Sequence, residues 1–259
     1  MNLKRKDKIK EKINAGKITF GSWVTLGHTS IPEIMGNAKF DWLAIDLEHS
    51  VIDIQKTQEL IQTIDLKALP SFVRLTANKS DLIKRVMDAG ATGVIVPMVN
   101  SEKDALKVIE SVKYPPIGKR SVGLARAQGY GQDFDIYKKN VNKKSIIIVQ
   151  IEHIDAVKNI DKILSLKEID GYIIGPYDLS GSMGITGKLQ DKKVLDAEKV
   201  VLKAAKKYKK SRGIHVVDPD VNIVKQKIKA GYNFIAVGTD FLFLGNNCIS
   251  TMDKIKKEV

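Results

Sequence analysis

The chain has 259 residues, 43% of them hydrophobic, one cysteine and a formal net charge of +13. That is enough apolar material for one large core spanning 1–259. No apolar run reaches membrane-span length, the charged N-terminus MNLKRKDKIKEKI is followed by no signal-peptide core, and one cysteine excludes a disulfide framework, so we expect a cytoplasmic protein with no membrane association and a buried, inert Cys248.

The positive charge raises nucleic-acid binding, but its distribution argues against it. Lysines occur in every helix-like segment, most densely at Lys206, Lys207, Lys209 and Lys210, as expected of solvated helix faces. Only six of the 43 basic residues are arginine, so arginine marks places where a planar, forked cation is needed. Arg74, Arg120 and Arg126 are the informative ones.

In chain order, an amphipathic N-terminal helix is followed by ITFGSWVTL (18–26), a predicted strand, and IPEIMGNA (31–38), a helix with Ser30 as N-cap and Pro32 in its first turn. WLAIDLEHS (42–50) is an apolar run closing on three ionisable groups, Asp46, Glu48 and His49. A helix over 53–64 leads to the strand SFVRL (71–75), which carries Arg74. Ser80 is expected to cap a helix running to Met87 and stopped by Gly90, and GVIVPM (93–98) is a strand ended by proline. After a helix over 101–113 comes the excursion YPPIGKRSVGLARAQGYGQ (114–132); loops this long in compact domains are more often functional than accidental. The alternation resumes with strands SIIIVQIE (145–152), DGYIIG (170–175), RGIHVV (212–217) and NFIAVG (233–238), and helices near 154–166, 191–210 and 219–230. Eight strands, several of them continuous Ile/Val runs typical of a parallel sheet covered on both faces, predict a (β/α)8 barrel of the TIM type with an N-terminal helix.

In such a barrel the C-terminal strand ends share one mouth. They bring together Asp46, Glu48 and His49, then Arg74, Pro97, Gln150, Glu152, Asp178, His215 and Asp240, a set rich in oxygen ligands with one arginine. It suits a divalent cation beside an anionic substrate. Gln150 and Glu152, two apart on a strand, point inward while Ile151 points out. Glu152 and Asp178 are the expected metal ligands, although spacing alone equally fits a lysine pair for Glu152 and a turn cap for Asp178. His49 is the candidate base, since imidazole titrates near neutral pH, and Asp88, a carboxylate at a helix C-terminus opposing the dipole, is a candidate partner. Arg74 fits binding of a carboxylate or enolate oxygen, and equally an ordinary salt bridge. His28, His153 and Asp53 read as loop and surface residues.

The segments GSW, FDWLAIDLEHS, VRL, MDAGATGVIVPMV, YPPIGKRSVGLARA, VQIE and IGPYDLSGSMG, in this order, resemble the metal-dependent pyruvate aldolases of the HpcH/HpaI family over nearly the whole chain. The resemblance implies a barrel of the phosphoenolpyruvate/pyruvate-domain type and aldol cleavage of a 4-hydroxy-2-oxo acid to pyruvate and an aldehyde through a pyruvate enolate. It implies that Glu152 and Asp178 hold Mg2+, Mn2+ or Co2+, that His49 acts as base with Asp88 of an adjacent subunit, and that Arg74 stabilises the enolate. Gln150, Gly175 and Tyr177 would contact the 2-oxo acid, with Asp46 and Glu48 as supports, and Arg126 would reach the acceptor end. A hexamer, a trimer of dimers, is implied as well. Tyr177, where a small residue is common, and His215, where relatives carry an aliphatic one, point to a polar, sugar-derived aldehyde. An acyl-CoA lyase of the citramalyl or malyl type, or a binding protein on a barrel that has lost catalysis, are the alternatives.

Overall fold

The computed structural model describes residues 3–259, the side chains of 3–7 excepted; Met1 and Asn2 of the expected N-terminal helix lie outside the described residues. Strands β1 (Thr19–Val24), β2 (Trp42–Asp46), β3 (Ser71–Arg74), β4 (Gly93–Val96), β5 (Ile146–Ile151), β6 (Gly171–Ile174), β7 (Ser211–Val216) and β8 (Phe234–Thr239) close in sequence order into an all-parallel barrel. Around them lie α1 (Leu3–Asn14), α2 (Ser30–Met35), α3 (Ile54–Leu66), α4 (Ser80–Asp88), α5 (Glu102–Val112), α6 (Phe134–Lys144), α7 (Ile154–Lys158), α8 (Ile160–Ser165), α9 (Pro176–Ser182), α10 (Lys192–Lys207), α11 (Val221–Ala230) and α12 (Asp240–Glu258). The barrel expected from the eight apolar runs is therefore the fold.

Period-two alternation sorts the strand side chains into two cores. Trp23, Trp42, Ala44, Phe72, Ile95, Ile146, Ile148, Ile173, Phe234 and Ala236 fill the barrel, and Ile9 and Ile13 of α1 join them. Their neighbours, such as Leu43, Ile45, Val73, Val94, Ile147, Val149 and Ile151, pack outward in the larger core with the helices. The barrel's centre is aromatic: Trp42 stacks on Phe234 with centroids 4.2 Å apart, and Phe72 meets Trp42 edge-on at 5.5 Å. Gly21 makes the room, since a Cβ there would stand 2.0 Å from the Trp42 ring.

Several local expectations are corrected. Ser30 and Ser80 are the first residues of their helices, after Thr29 and Lys79, and neither preceding residue makes a side-chain cap. Asp53 is exposed, as expected, and also caps α3, its carboxylate accepting from Lys56 N–H at 2.7 Å. Helices α6 and α9 were not predicted. In α6 only Val141 is buried, so there is no apolar stripe to detect, and α9 follows a Gly-Pro turn and contains a glycine of its own. Nor is lysine only a solvent coat: Lys113 Nζ is buried and donates to Asn142 O, Ser145 O and Ser145 Oγ, while Lys210 reaches Leu166 O and Ile169 O.

The barrel is latched where its ends meet. Buried Asp240, opening α12, accepts from Thr25 N–H and Leu26 N–H, both at 2.7 Å, just beyond β1. Past that point α12 buries nothing else. Cys248 is consequently exposed, contrary to the expectation of a buried thiol, together with Phe241, Leu244, Ile249, Met252 and Ile255. Among the described residues no helix is long and apolar enough to cross a membrane.

Candidate active site

The same alternation that buries Trp42 and Ala44 turns Asp46 inward one step later, and Arg74 follows Phe72 in the same way. The two are partners in the parallel register. Arg74 Nε donates to Asp46 Oδ1 at 2.8 Å and Nη2 to Oδ2 at 2.6 Å, a bidentate pair, and its guanidinium lies 4.4 Å over the Trp23 ring. Asp46 also accepts the Glu48 N–H at 3.0 Å, so one buried carboxylate holds the arginine and shapes the turn that presents Glu48 and His49. Trp23 is a site residue that sequence reasoning placed only within a motif. Its signal was the inward spacing of Gly21 and Trp23.

Gln150 and Glu152 point inward from the end of β5 as expected, with Ile151 in the outer core. Gln150 Nε2 donates to Glu152 and, at 3.3 Å, to Glu48. Met98, at the end of β4, holds φ at +52° and directs its N–H to Glu152 Oε1 at 2.6 Å. A non-glycine residue in that conformation is strained, and here the strain aims a donor at the site. Gly175 lies against Glu152, since a Cβ there would stand 3.0 Å from Glu152 Oε2 and press on that side chain.

Burial, reinforced by the charge of Asp178, pushes the Glu152 carboxyl above its ordinary range, while Gln150 and Met98 pull it down. Among the described residues no lysine or arginine forms an ion pair with Glu152, whose partners are Gln150 Nε2 and the Met98 N–H. Asp178 lies exposed in the first turn of α9. Among the described residues no three His, Cys, Asp or Glu side chains converge as a metal site. Glu152 and Asp178 are both hard oxygen donors, near enough for the charge of Asp178 to act on the Glu152 carboxyl, and carboxylates of this kind suit an ion that keeps open positions for water and substrate oxygens.

Glu48 was expected only as a support, yet burial raises its carboxyl to about 7 despite the opposing Arg74 charge. It stands 3.4 Å from Arg74 Nη1 and 3.9 Å from His49 Nε2. His49 is at the rim, its side chain 64% exposed. The Glu48 carboxyl and the His49 imidazole thus meet at the mouth.

His215 points inward from β7, edge-on to Trp23 at 5.8 Å, with Nε2 3.2 Å from Gly238 O. Burial lowers it to about 4, so the ring is neutral, its Nε2–H donates to that carbonyl, and Nδ1 is left as an acceptor. Tyr177 and His215 border one cavity of about 220 Å³. Because the unfolded chain binds the His215 proton more readily than the folded one, this residue costs stability progressively as pH falls from 6.5 toward 4, by about 3 kcal/mol at the acid end. His215→Leu should therefore lose less thermal stability than wild type between pH 7 and 4.5, a difference of roughly 5 °C in Tm. Parallel melting curves for the two proteins would contradict this.

Asp88 and Arg126 do not join this group. Asp88 ends α4, and a helix that returns from the mouth ends at the opposite side of the barrel. Its carboxyl lies 3.4 Å from Gln128 Nε2 and is lifted above the usual range by burial. Within one chain it does not meet His49. Arg126 likewise does not reach the acceptor end of its own mouth: it donates to Ala89 O at 2.9 Å and to Asp65 at 2.7 Å, tying the excursion to α3 and α4.

The sequence matches the family described as HpcH/HpaI aldolase/citrate lyase over residues 19–246. It is 34% identical to a hydroxypyruvate/pyruvate aldolase of Roseobacter denitrificans, with 96% of each chain covered. It is 33% identical to a 2-keto-3-deoxy-L-rhamnonate aldolase of Escherichia coli, covering 93% of this chain and 90% of the relative. The fold superposes on the crystal structure of a family protein from Burkholderia cenocepacia with a TM-score of 0.92 at 29% identity, covering 96% of this chain and 99% of that one.

Proposed function

The chain belongs to the HpcH/HpaI aldolase/citrate lyase family, and from that premise we propose that this carbon–carbon lyase cleaves 4-hydroxy-2-oxo acids to pyruvate and an aldehyde, and runs the reverse condensation. The observation that carries the reading is the convergence of the Asp46–Arg74 pair with Gln150 and Glu152 at one end of the barrel.

Glu152 and Asp178 would hold a divalent cation, with Mg2+, Mn2+ and Co2+ as candidates. When bound, such an ion supplies Lewis-acid polarisation of the 2-oxo group. The chain's own groups account for the rest. His49 takes the proton of the 4-hydroxyl. The C3–C4 bond then breaks, its electron pair passing into the C2–C3 enolate as the aldehyde carbonyl forms. Arg74, held rigidly by Asp46, faces the negative charge that grows on the enolate oxygen, and needs no reorganisation at that moment. Return of a proton to C3 gives pyruvate. Gln150 orients Glu152, and Gly175 leaves space for the reacting acid beside it.

His215 and Tyr177 border the cavity where the aldehyde would lie, and the neutral imidazole's free Nδ1 favours an acceptor that bears a hydroxyl. The names of the two aldolase relatives point to hydroxylated substrates as well. Equal rates for wild type and His215→Leu across hydroxylated and plain aldehydes would remove His215 from this role.

We also propose a homo-oligomer, a trimer of dimers, in which Asp88 of one subunit supports His49 of the next. The support is the placement of these residues at opposite ends of one barrel, together with the exposed apolar stripe of α12. Inactive His49→Ala and Asp88→Asn proteins should regain activity when reassembled together, and a monomeric active protein would overturn the idea.

The central test is proton exchange at the pyruvate methyl in D2O, measured with and without added Mg2+, Mn2+ or Co2+. Exchange is expected with at least one of these ions and should be lost in Glu152→Gln. Absence of exchange with every ion, at concentrations where binding is demonstrated, would sink the enolate mechanism.

A further inference from the structure

Arg120 is the informative arginine that the mouth does not use. After α5 the chain folds back on that helix, with Lys119 N–H donating to Glu110 O at 2.8 Å and Arg120 N–H to Lys113 O at 3.1 Å. Gly118 permits the approach, since a Cβ there would stand 2.2 Å from Lys113 O. Arg120 is thereby fixed at 3% exposure, its guanidinium 4.3 Å over the Tyr114 ring and Nη2 donating to the Tyr137 hydroxyl at 2.8 Å.

Nε and Nη1 of Arg120 have no acceptor; the charge of Asp88 acts on the guanidinium, but no carboxylate among the described residues forms an ion pair with it. Burying charged donors unmet is costly, and such a group in a native fold calls for a ligand, ion or water to explain it. Arg120 also lines a cavity of about 380 Å³ between α4, α5 and the folded-back segment. Lys84, Lys107, Lys119 and Arg120 line it with Asp81 and Glu110, and Asp88 acts on Arg120 and Lys84 from alongside, four cations against three carboxylates, a formal excess of one. Glu110 is taken by Lys119 at 2.7 Å, whereas Lys84 and Lys107 have no ion-pair partner among the described residues. Ser80 and Ser121 add hydroxyl donors.

Donors that converge from three separate elements suit an anion with oxygens in several directions more than a planar carboxylate. We propose that this cavity is a binding site for a phosphate-class oxyanion, either free or as the phosphoryl group of a small molecule. It is separate from the mouth of its own chain, and its elements are held by backbone contacts before any ligand arrives.

The test is calorimetric titration of the purified protein, in its assembled form and without added metal, with inorganic phosphate and with glycerol 3-phosphate. Saturable binding of one anion per chain is expected. It should weaken at least about tenfold in Lys84→Gln/Lys107→Gln, two surface changes that leave Arg120 and the melting temperature in place, and should be unchanged in Arg74→Gln. Binding of both probes identifies a phosphoryl site, and binding of inorganic phosphate alone a free-anion site. The proposal is overturned by absence of saturable binding, by full binding in the double variant, or by loss of binding in Arg74→Gln alone, which would place the anion at the mouth.

Discussion

Arg74→Lys is expected to lower kcat for aldol cleavage by about 10²- to 10³-fold, the range for removing one preorganised donor from a developing oxyanion. The reason is the two-point attachment to Asp46, through Nε at 2.8 Å and Nη2 at 2.6 Å, which fixes the guanidinium plane over Trp23 and directs Nη1 toward Glu48 and the mouth. An ammonium keeps the charge but not the fork, so conservation of charge should not conserve rate. Arg74→Met should be at least as slow and also less stable, because it leaves Asp46, 2% exposed, without its counter-ion; breaking a buried pair in this way costs about 3–5 kcal/mol. Comparing kcat with Tm for the two variants separates these effects. An Arg74→Lys enzyme that keeps half of the wild-type kcat would show that the guanidinium is only structural.

The second large effect belongs to the barrel's centre. Trp42→Ala should destabilise by about 3–5 kcal/mol, as expected for emptying a fully buried indole site, and lower Tm by about 10 °C. Gly21→Ala should be comparably damaging for the opposite reason, since its Cβ would overlap the Trp42 ring at 2.0 Å. The two accounts predict a strong coupling. In a Trp42→Leu background, Gly21→Ala should cost much less, because the flat ring that excludes the Cβ is gone. Melting curves for the four proteins of that cycle decide it: additive losses would mean that Gly21 is needed for its backbone freedom instead.

Both expectations rest on features that were legible in the chain. The eight strands lie in apolar runs such as Ile146–Ile151 whose period is visible in one dimension, and the inward spacing of Gln150 and Glu152 follows from it. What stayed hidden depends on the third dimension. Glu48 looked like an accessory carboxylate, but its rise to about 7 comes from burial, which outweighs the opposing charge of Arg74 and is reinforced by that of Glu152, groups brought up by two other strands. Trp23 belongs to the site through its contact with Arg74, 51 positions away in the chain, which no local pattern signals. Helix α6 escaped because a segment with one buried residue has no periodicity to read. Arg126 was placed near the acceptor end by the resemblance and by its position in the excursion; its partners within one chain, Asp65 and Ala89 O, lie on α3 and just past α4, contacts that no local pattern signals.

The Asp240 latch has a consequence for how the protein comes into being. The carboxylate that secures the amides after β1 is the 240th residue of 259, and β8, which must flank β1, ends just before it. A ribosome therefore releases about 200 further residues while the first strand still has an open edge, and strands with open edges pair with whatever is near. Closure joins segments more than 200 residues apart in the chain, the kind of long-range pairing that makes folding slow. For this protein, the interval between emergence of β1 and arrival of residue 240 is the period of greatest risk of misassembly, and nascent chains arrested before Asp240 should depend on chaperones where those arrested after it do not.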